Sequence, residues 1–308
     1  MKRETKEKIV IICGPTGIGK TATAIELARE FSGEIISADS MQVYREMDIG
    51  TAKPTRSEQE SVPHHMINIV NPDEPFDAAV FATMADSVIA SLVQQGRLPF
   101  VVGGTGLYIK ALIHGLSRAR PADAEVLIRL KQEAQRSGSE ALHQRLAKCD
   151  PEAAKKIHPH DAFRIIRALE IFEETGKPIT SFHEKHQFSD TKYHTLKICL
   201  SAEREELYSR INQRVDIMLE QGLLAEVEKL LRKGYTADLK SMQSLGYRHM
   251  TEYLSGETPW EETVHNMKQD TRRYAKRQLT WFNADPEIKW FTKDQIDDIR
   301  GEIRSFLA

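Results

Sequence analysis

The chain has 308 residues, 40% hydrophobic and 29% charged, with 43 Lys and Arg against 45 Asp and Glu. That is enough apolar material for one large domain and a smaller one, and the net charge of −2 excludes an overall field built for nucleic acid, so any basic surface has to be local. Cys13, Cys149 and Cys199 are odd in number and scattered, which excludes a disulfide framework or a paired-cysteine zinc site; the mixed-charge N-terminus has no long apolar run, and a cytoplasmic protein is expected.

Residues 8–13, KIVIIC, form an apolar run of the length of a buried parallel strand. They lead into Gly14, Pro15, Thr16, Gly17, Ile18, Gly19, Lys20 and Thr21, which satisfy G-x-x-x-x-G-K-[ST] at every fixed position, and helical spacing follows over 23–31. Strand, glycine loop and helix in this order make an anion cradle. Main-chain N–H groups curl around a phosphate or diphosphate, the helix presents its positive end, Lys20 adds a point charge and Thr21 is placed to hold Mg²⁺. A glycine turn that merely joins strand to helix would not need Lys-Thr directly after its last glycine. The loop specifies phosphate but not the reaction done with it.

Residues 33–40, GEIISADS, read as a second buried strand ending in Asp39 and Ser40. In an open parallel sheet ligands sit outside the carboxyl ends of the strands, which puts Asp39 on the rim of the phosphate loop; a turn or helix-capping aspartate is the other reading, and the residues leave both open. Residues 48–54 are too small and polar for a core element and read as a long binding loop. His64 and His65 have no partner at ligand spacing and read as structural or as a polar rim. Residues 75–95 predict a helix with Phe76, Val80, Phe81, Met84, Val88 and Leu92 on one face, closed by Gly96. A strand over 98–102 then enters a second glycine-rich turn, GGTGLY, and a helix over 107–114.

From Ser117 to about Gln187 only helical periodicity remains, with 13 Lys and Arg against 11 Asp and Glu, and this predicts a mainly helical insertion (117–187) in an α/β core made of 1–116 and 188–308. Within it Arg164 and Arg167 lie three apart on a helix beginning near Asp161. Phe163 beside them is either a ring for stacking on a base or a core residue under a solvated charged face. The α/β pattern resumes with a strand at 195–200. A long helix follows over 204–233, bent near Gly222, with Arg210 and Arg214 on one face. Residues 241–248 make another turn with small residues and a cation. Residues 267–281 carry Lys268, Arg272, Arg273, Lys276 and Arg277 with Asp270 as the only acid, a basic face suited to phosphates. A last edge strand at 288–291 precedes a short terminal helix.

Taken together, GPTGIGKT at 14–21, SADSMQVY at 37–44, DIGTAKPT at 48–55, VGGTGLY at 102–108, RALE at 167–170 and SLGYR at 244–248 resemble the tRNA dimethylallyltransferase family of bacterial type, in wording and in order. Asn68 and Val80 depart from it, each standing where such proteins often carry an acid. The resemblance implies a P-loop NTPase-like parallel sheet with an inserted helical domain. It also implies transfer of a dimethylallyl group from dimethylallyl diphosphate to the exocyclic N6 amine of the adenine immediately 3′ of the anticodon, releasing diphosphate. Asp39 would be the general base, with Thr21, Mg²⁺ and Arg214 handling the diphosphate held by residues 14–21. Asp39, Ser40, Met41, Gln42 and Thr105 would surround the flipped base, while Phe163, Arg164, Arg167, Gln243, Gly246 and Arg248 would grip the anticodon stem-loop. No membrane and no obligate protein partner are implied. A small-molecule kinase, a free-nucleotide isopentenyltransferase and a nucleotide-switch protein are the competing readings; the helical insertion argues against the first two, and the third would need effector loops that the sequence does not display.

Overall fold

The computed structural model describes residues 6–115, 124–181 and 191–308. Ser117 and Gln187, the ends drawn for the insertion from composition, lie outside the described residues. The chain divides into two compact units, one made of Met1–Ile113 with Lys192–Ala308 and the other of His114–Thr191.

Strands β1 (Lys8–Cys13), β2 (Gly33–Ser37), β3 (His64–His65), β4 (Leu98–Gly103), β5 (His194–Ser201) and β6 (Lys289–Thr292) build the sheet of the first unit. Their order is β3-β2-β4-β1-β5-β6 and every pairing is parallel. The central strands are apolar on both faces because helices cover both sides, so they read as continuous hydrophobic runs and not as alternating ones. Val10, Ile12, Phe100, Ile198 and Leu27 meet in the core. Strand β3 is two residues long, too short to leave a period in the sequence, and only its register of His64 against Ile35 reveals it.

Four helices precede the second unit's core: α1 (Lys20–Glu30), α2 (Arg56–Ser61), α3 (Ala78–Gln94) and α4 (Gly106–His114). Helix α3 corrects the expected face. It starts at Ala78 under an Asp77 cap that accepts from the N–H groups of Ala79 and Val80, and it buries Phe81, Ala85, Ile89 and Leu92. Val80 and Met84, assigned to the buried stripe, are 42% and 38% exposed. The helix is apolar most of the way round, so periodicity alone picks the stripe one residue out of phase, and the small Ala85 marks the side that packs.

The second unit holds α5 (Ala124–Cys149), kinked at Gly138, with α6 (Pro151–Lys156) and α7 (Ala162–Thr175). Leu130, Leu142 and Leu146 pack against Ile165 and Leu169. Asp161 caps α7 by accepting from Arg164 N at 3.1 Å. In the first unit follow α8 (Arg204–Glu220), α9 (Leu223–Arg232), α10 (Tyr247–Leu254), α11 (Trp260–Asn283) and α12 (Ile296–Leu307). Gly222, left-handed at φ 97°, makes the expected break between α8 and α9. No helix among the described residues is long and apolar enough to cross a membrane.

Candidate active site

A cavity of about 330 Å³ opens at the carboxyl ends of β1, β2 and β4, and Thr16, Lys20, Thr21, Asp39, Arg214 and Gln278 are on its wall. The phosphate loop forms one side. Gly14, Gly17 and Gly19 take positive φ, which turns the chain tightly ahead of α1 and leaves the first N–H groups of the helix without intrahelical partners. The Lys20 ammonium donates to Gly14 O at 3.0 Å and Pro15 O at 2.8 Å. Burial, and next the neighbouring Arg214, bring its pKa down to about 8, with Asp39 opposing them. Ile18 points away into the core and contributes only backbone to the loop.

Arg214 reaches the same wall from α8, and its guanidinium donates no hydrogen bond to another described residue. Burial lowers its pKa and Asp39 supports its charge. Arg210, one turn earlier, instead donates to Ile18 O at 3.3 Å and holds the loop from behind. Asp39 turns out to satisfy both readings left open by the sequence. Its Oδ1 accepts from Met41 N at 2.9 Å and Gln42 N at 3.4 Å, closing a turn, while the residue lines the cavity.

The other expected residues divide. Gln42 is on the wall, where its Oε1 accepts from the Ser37 hydroxyl at 2.9 Å and its Nε2 donates to the carbonyls of Thr51 and Ala52. Ser40, Met41 and Thr105 are not on that wall. Ser40 N donates to Thr105 Oγ1 at 3.1 Å, which ties the turn after β2 to the turn after β4. Gln243 is exposed and donates to Ala237 O, Gly246 opens α10, and Arg248 is engaged by Asp270 at 2.7 Å and Glu252 at 3.4 Å. In the second unit Phe163 is 82% exposed, which rules out the core reading. Arg164 is exposed beside Asp161, whereas Arg167 donates to the buried Glu170 at 2.8 Å and so also serves the fold. Three of the five basic residues of 267–281 are partnered within the fold, Lys268 with Asp216, Arg272 with Asn212 and Arg273 with Asp270, while Arg273, Lys276 and Arg277 are exposed.

Tyr274 and Gln278 on the wall were not anticipated from the sequence, and Lys53 and His64, expected in a binding loop and in a structural or polar-rim position, lie there too. Tyr274 and Gln278 stand one turn apart on α11, their polar side chains facing the same way as buried Ala275 and Phe282, and a polar pair on a packed face was the signal available. Burial and Asp39 push the Tyr274 hydroxyl up to about 12, and it meets the hydroxyl of Thr105. Lys53, inside the DIGTAKPT segment, donates to Tyr44 O, Asp48 Oδ1 and Asn68 Oδ1 at 2.5 to 2.8 Å and braces the loop. His64 lines the cavity as part of its rim: its Nδ1 donates to Val62 O at 2.7 Å, its Nε2 is enclosed without a partner among the described residues, and burial lowers its pKa. Glu226 lies behind the wall, accepting from the N–H groups of Asp48, Ile49 and Gly50 and from the Tyr247 hydroxyl, and so anchors the loop that carries Thr51, Ala52 and Lys53.

Residues 42–285 match the family model described as IPP transferase, and residues 7–71 match one described as isopentenyl transferase. The chain belongs to the IPP transferase family. A tRNA dimethylallyltransferase of Desulfosudis oleivorans is 55% identical over 98% of this chain and 97% of its own. The crystal structure of a full-length tRNA isopentenylpyrophosphate transferase from Bacillus halodurans superposes with a TM-score of 0.73 at 45% identity, covering 98% of this chain and 97% of that one. A eukaryotic dimethylallyltransferase, solved acting on tRNA, matches with a TM-score of 0.79 at 31% identity over 97% of this chain and 77% of its own. Within the family, the P-loop NTPase-like parallel sheet expected from the sequence is the fold found, with the phosphate loop joining the central strand β1 to α1.

Proposed function

We propose that this protein transfers a dimethylallyl group from dimethylallyl diphosphate to the N6 amine of the adenine immediately 3′ of the anticodon of tRNA, in the cytoplasm. The observation that carries the reading is one cavity in which a phosphate loop with its Lys20, an arginine with no hydrogen-bonded partner among the described residues, Arg214, and a carboxylate, Asp39, face one another. The names of the relatives point the same way.

The chemistry follows from these groups. The carbon–oxygen bond to diphosphate breaks with its electron pair leaving on the oxygen, the amine nitrogen bonds the allylic carbon, and Asp39 takes the amine proton. An exocyclic aromatic amine is a weak nucleophile, so a carboxylate that removes its proton matters. Asp39 Oδ1 is occupied by two main-chain N–H groups, which leaves Oδ2 as the basic atom. Lys20, Arg214 and the first N–H groups of α1 stabilise the negative charge that grows on the leaving group. No trio of His, Cys, Asp or Glu gathers among the described residues, and Thr21 brings one hydroxyl to the cradle near Asp39. That donor set fits Mg²⁺, which binds through one or two protein oxygens and completes its shell with water and phosphate. Held by Thr21, it would offset charge on the diphosphate. Exposed Phe163 and Arg164 in the second unit supply stacking and phosphate contacts to the anticodon stem-loop.

The test offers radiolabelled dimethylallyl diphosphate with an anticodon stem-loop carrying adenine at the target position, the same RNA with guanine there, AMP, or ATP plus a nucleoside. Label entering only the adenine RNA is the expected result. Label on AMP, or phosphate transfer to the nucleoside, would overturn it.

A further inference from the structure

The carboxamide of Gln278, in a residue only 7% exposed, bridges two turns that lie far from it in sequence. Its Oε1 accepts from Thr16 N at 2.9 Å in the middle of the phosphate loop, and its Nε2 donates to Gly104 O at 2.8 Å in the turn after β4. The two bonds run in opposite senses, so only an amide satisfies both and its orientation is fixed. The fit is tight: a Cβ on Gly104 would stand 2.2 Å from Gln278 Nε2. From Gly104 the connection continues to the end of β2. Thr105 N donates to Ala38 O at 3.2 Å and Thr105 Oγ1 accepts from Ser40 N at 3.1 Å, so both neighbours of Asp39 are held by the residue next to Gly104. Tyr274, one turn before Gln278, meets the same Thr105 hydroxyl. Thr16, one of the loop residues, thus spends its N–H on the protein and not on an anion.

We infer that Gln278, seconded by Tyr274, is a positioning residue that sets the separation between the diphosphate cradle and the Asp39 carboxylate. The inference rests on the proposed placement of donor and base. Its physical content is that α11 acts as a strut across three strand ends: the loop after β1 carries the leaving group, the turn after β2 carries the base, and the turn after β4 is the element between them. Displacement of about 1 Å between reacting groups costs on the order of a hundredfold in rate while leaving each binding site whole. A residue that supported only the fold would instead lower activity in proportion to the fraction unfolded, with no preference for the chemical step.

The experiment uses the full chain with saturating donor and anticodon stem-loop RNA under single-turnover conditions. Gln278→Met keeps the volume and removes both hydrogen bonds; Tyr274→Phe removes one hydroxyl and guards against a Gln278 variant that does not fold. The expected result for Gln278→Met is a fall of roughly a hundredfold in the rate of the bound complex, with KM for donor and RNA within about threefold of the parent. Tyr274→Phe should fall by about threefold to tenfold with the same split. Gln278→Glu keeps the acceptor for Thr16 but sets a carboxylate at the cradle, so here donor KM should rise. Each substitution is repeated on Asp39→Asn. If Gln278 acts through Asp39 its effect shrinks to less than about threefold in that background, because the base it positions is gone. Effects that multiply, or a rise in both KM values with an unchanged bound-state rate, would overturn the inference. An Asp39→Asn enzyme with parental turnover would instead refute the placement of the base, whatever Gln278 does.

Discussion

The most direct consequence of the site's electrostatics concerns Lys20 and pH. Enclosure in the loop and the nearby Arg214 lower its pKa from an ordinary 10.5 to about 8, so keeping the ammonium charged in the empty loop costs about 3 kcal/mol. A bound diphosphate supplies the missing counter-charge and raises the pKa again. The sign then follows. The protonated form binds the anion, below pH 8 the free protein already holds that proton, and above it the proton has to be taken up on binding. The apparent Kd should scale as 1 + 10^(pH − 8), which is about twofold weaker at pH 8 and about 30-fold weaker at pH 9.5 than at pH 7. Titration calorimetry with an unreactive thio analogue of the donor, at fixed Mg²⁺ and ionic strength, measures this directly. The thermal stabilisation given by the analogue should shrink over the same interval. Tyr274, at about 12, does not titrate in this range, and His64, lowered from 6.5, is already neutral. Lys53 is also lowered by burial and lines the cavity, so Lys20→Arg decides between the two lysines. A guanidinium keeps its charge, and the profile of that variant should be flat to pH 9.5. A flat profile in the parent, or a break that survives in Lys20→Arg, would refute the assignment.

Asp39→Asn should lower turnover by about a hundred- to ten-thousand-fold with RNA affinity nearly unchanged, measured by single-turnover quench and filter binding. Phe163→Ala should cost roughly 1 to 3 kcal/mol of RNA affinity and leave the melting temperature where it was, because the ring is exposed. Arg164→Ala should flatten the dependence of log affinity on log salt by up to about one unit, whereas Arg167→Ala should also lower the melting temperature, since it strips the buried Glu170 of its partner. Glu226→Ala should speed hydrogen exchange at the amides of residues 48–50 by about 10- to 100-fold while exchange in β1 and β4 stays slow.

What the sequence by itself determined is whatever its chemistry holds in one short span. Residues 14–21 turn through their own glycines into the helix they begin, so strand, loop and helix could be read there with no other part of the chain. The apolar runs of β1, β2 and β4 announced a buried parallel sheet for the same reason, since a strand covered on both faces needs no partner to declare its burial. Asp39 could be placed on the rim of that sheet, but whether it closed a turn or faced a ligand depended on which oxygen met which N–H. The fold gave Oδ1 to the turn.

Only the tertiary structure decided the rest, because those contacts join residues with no local signature. Gln278 lies 262 residues from the Thr16 N–H it accepts from, and its place on a packed helix face marks burial but not the partner it reaches. The three arginines and two lysines of α11 read as a phosphate face until Asp216, Asn212 and Asp270 were seen to take three of the five. Phe163 could be core or exposed on periodicity alone, and α3 showed two apolar stripes of nearly equal claim; in both cases burial is a property of what packs alongside, which a helix's own sequence does not contain.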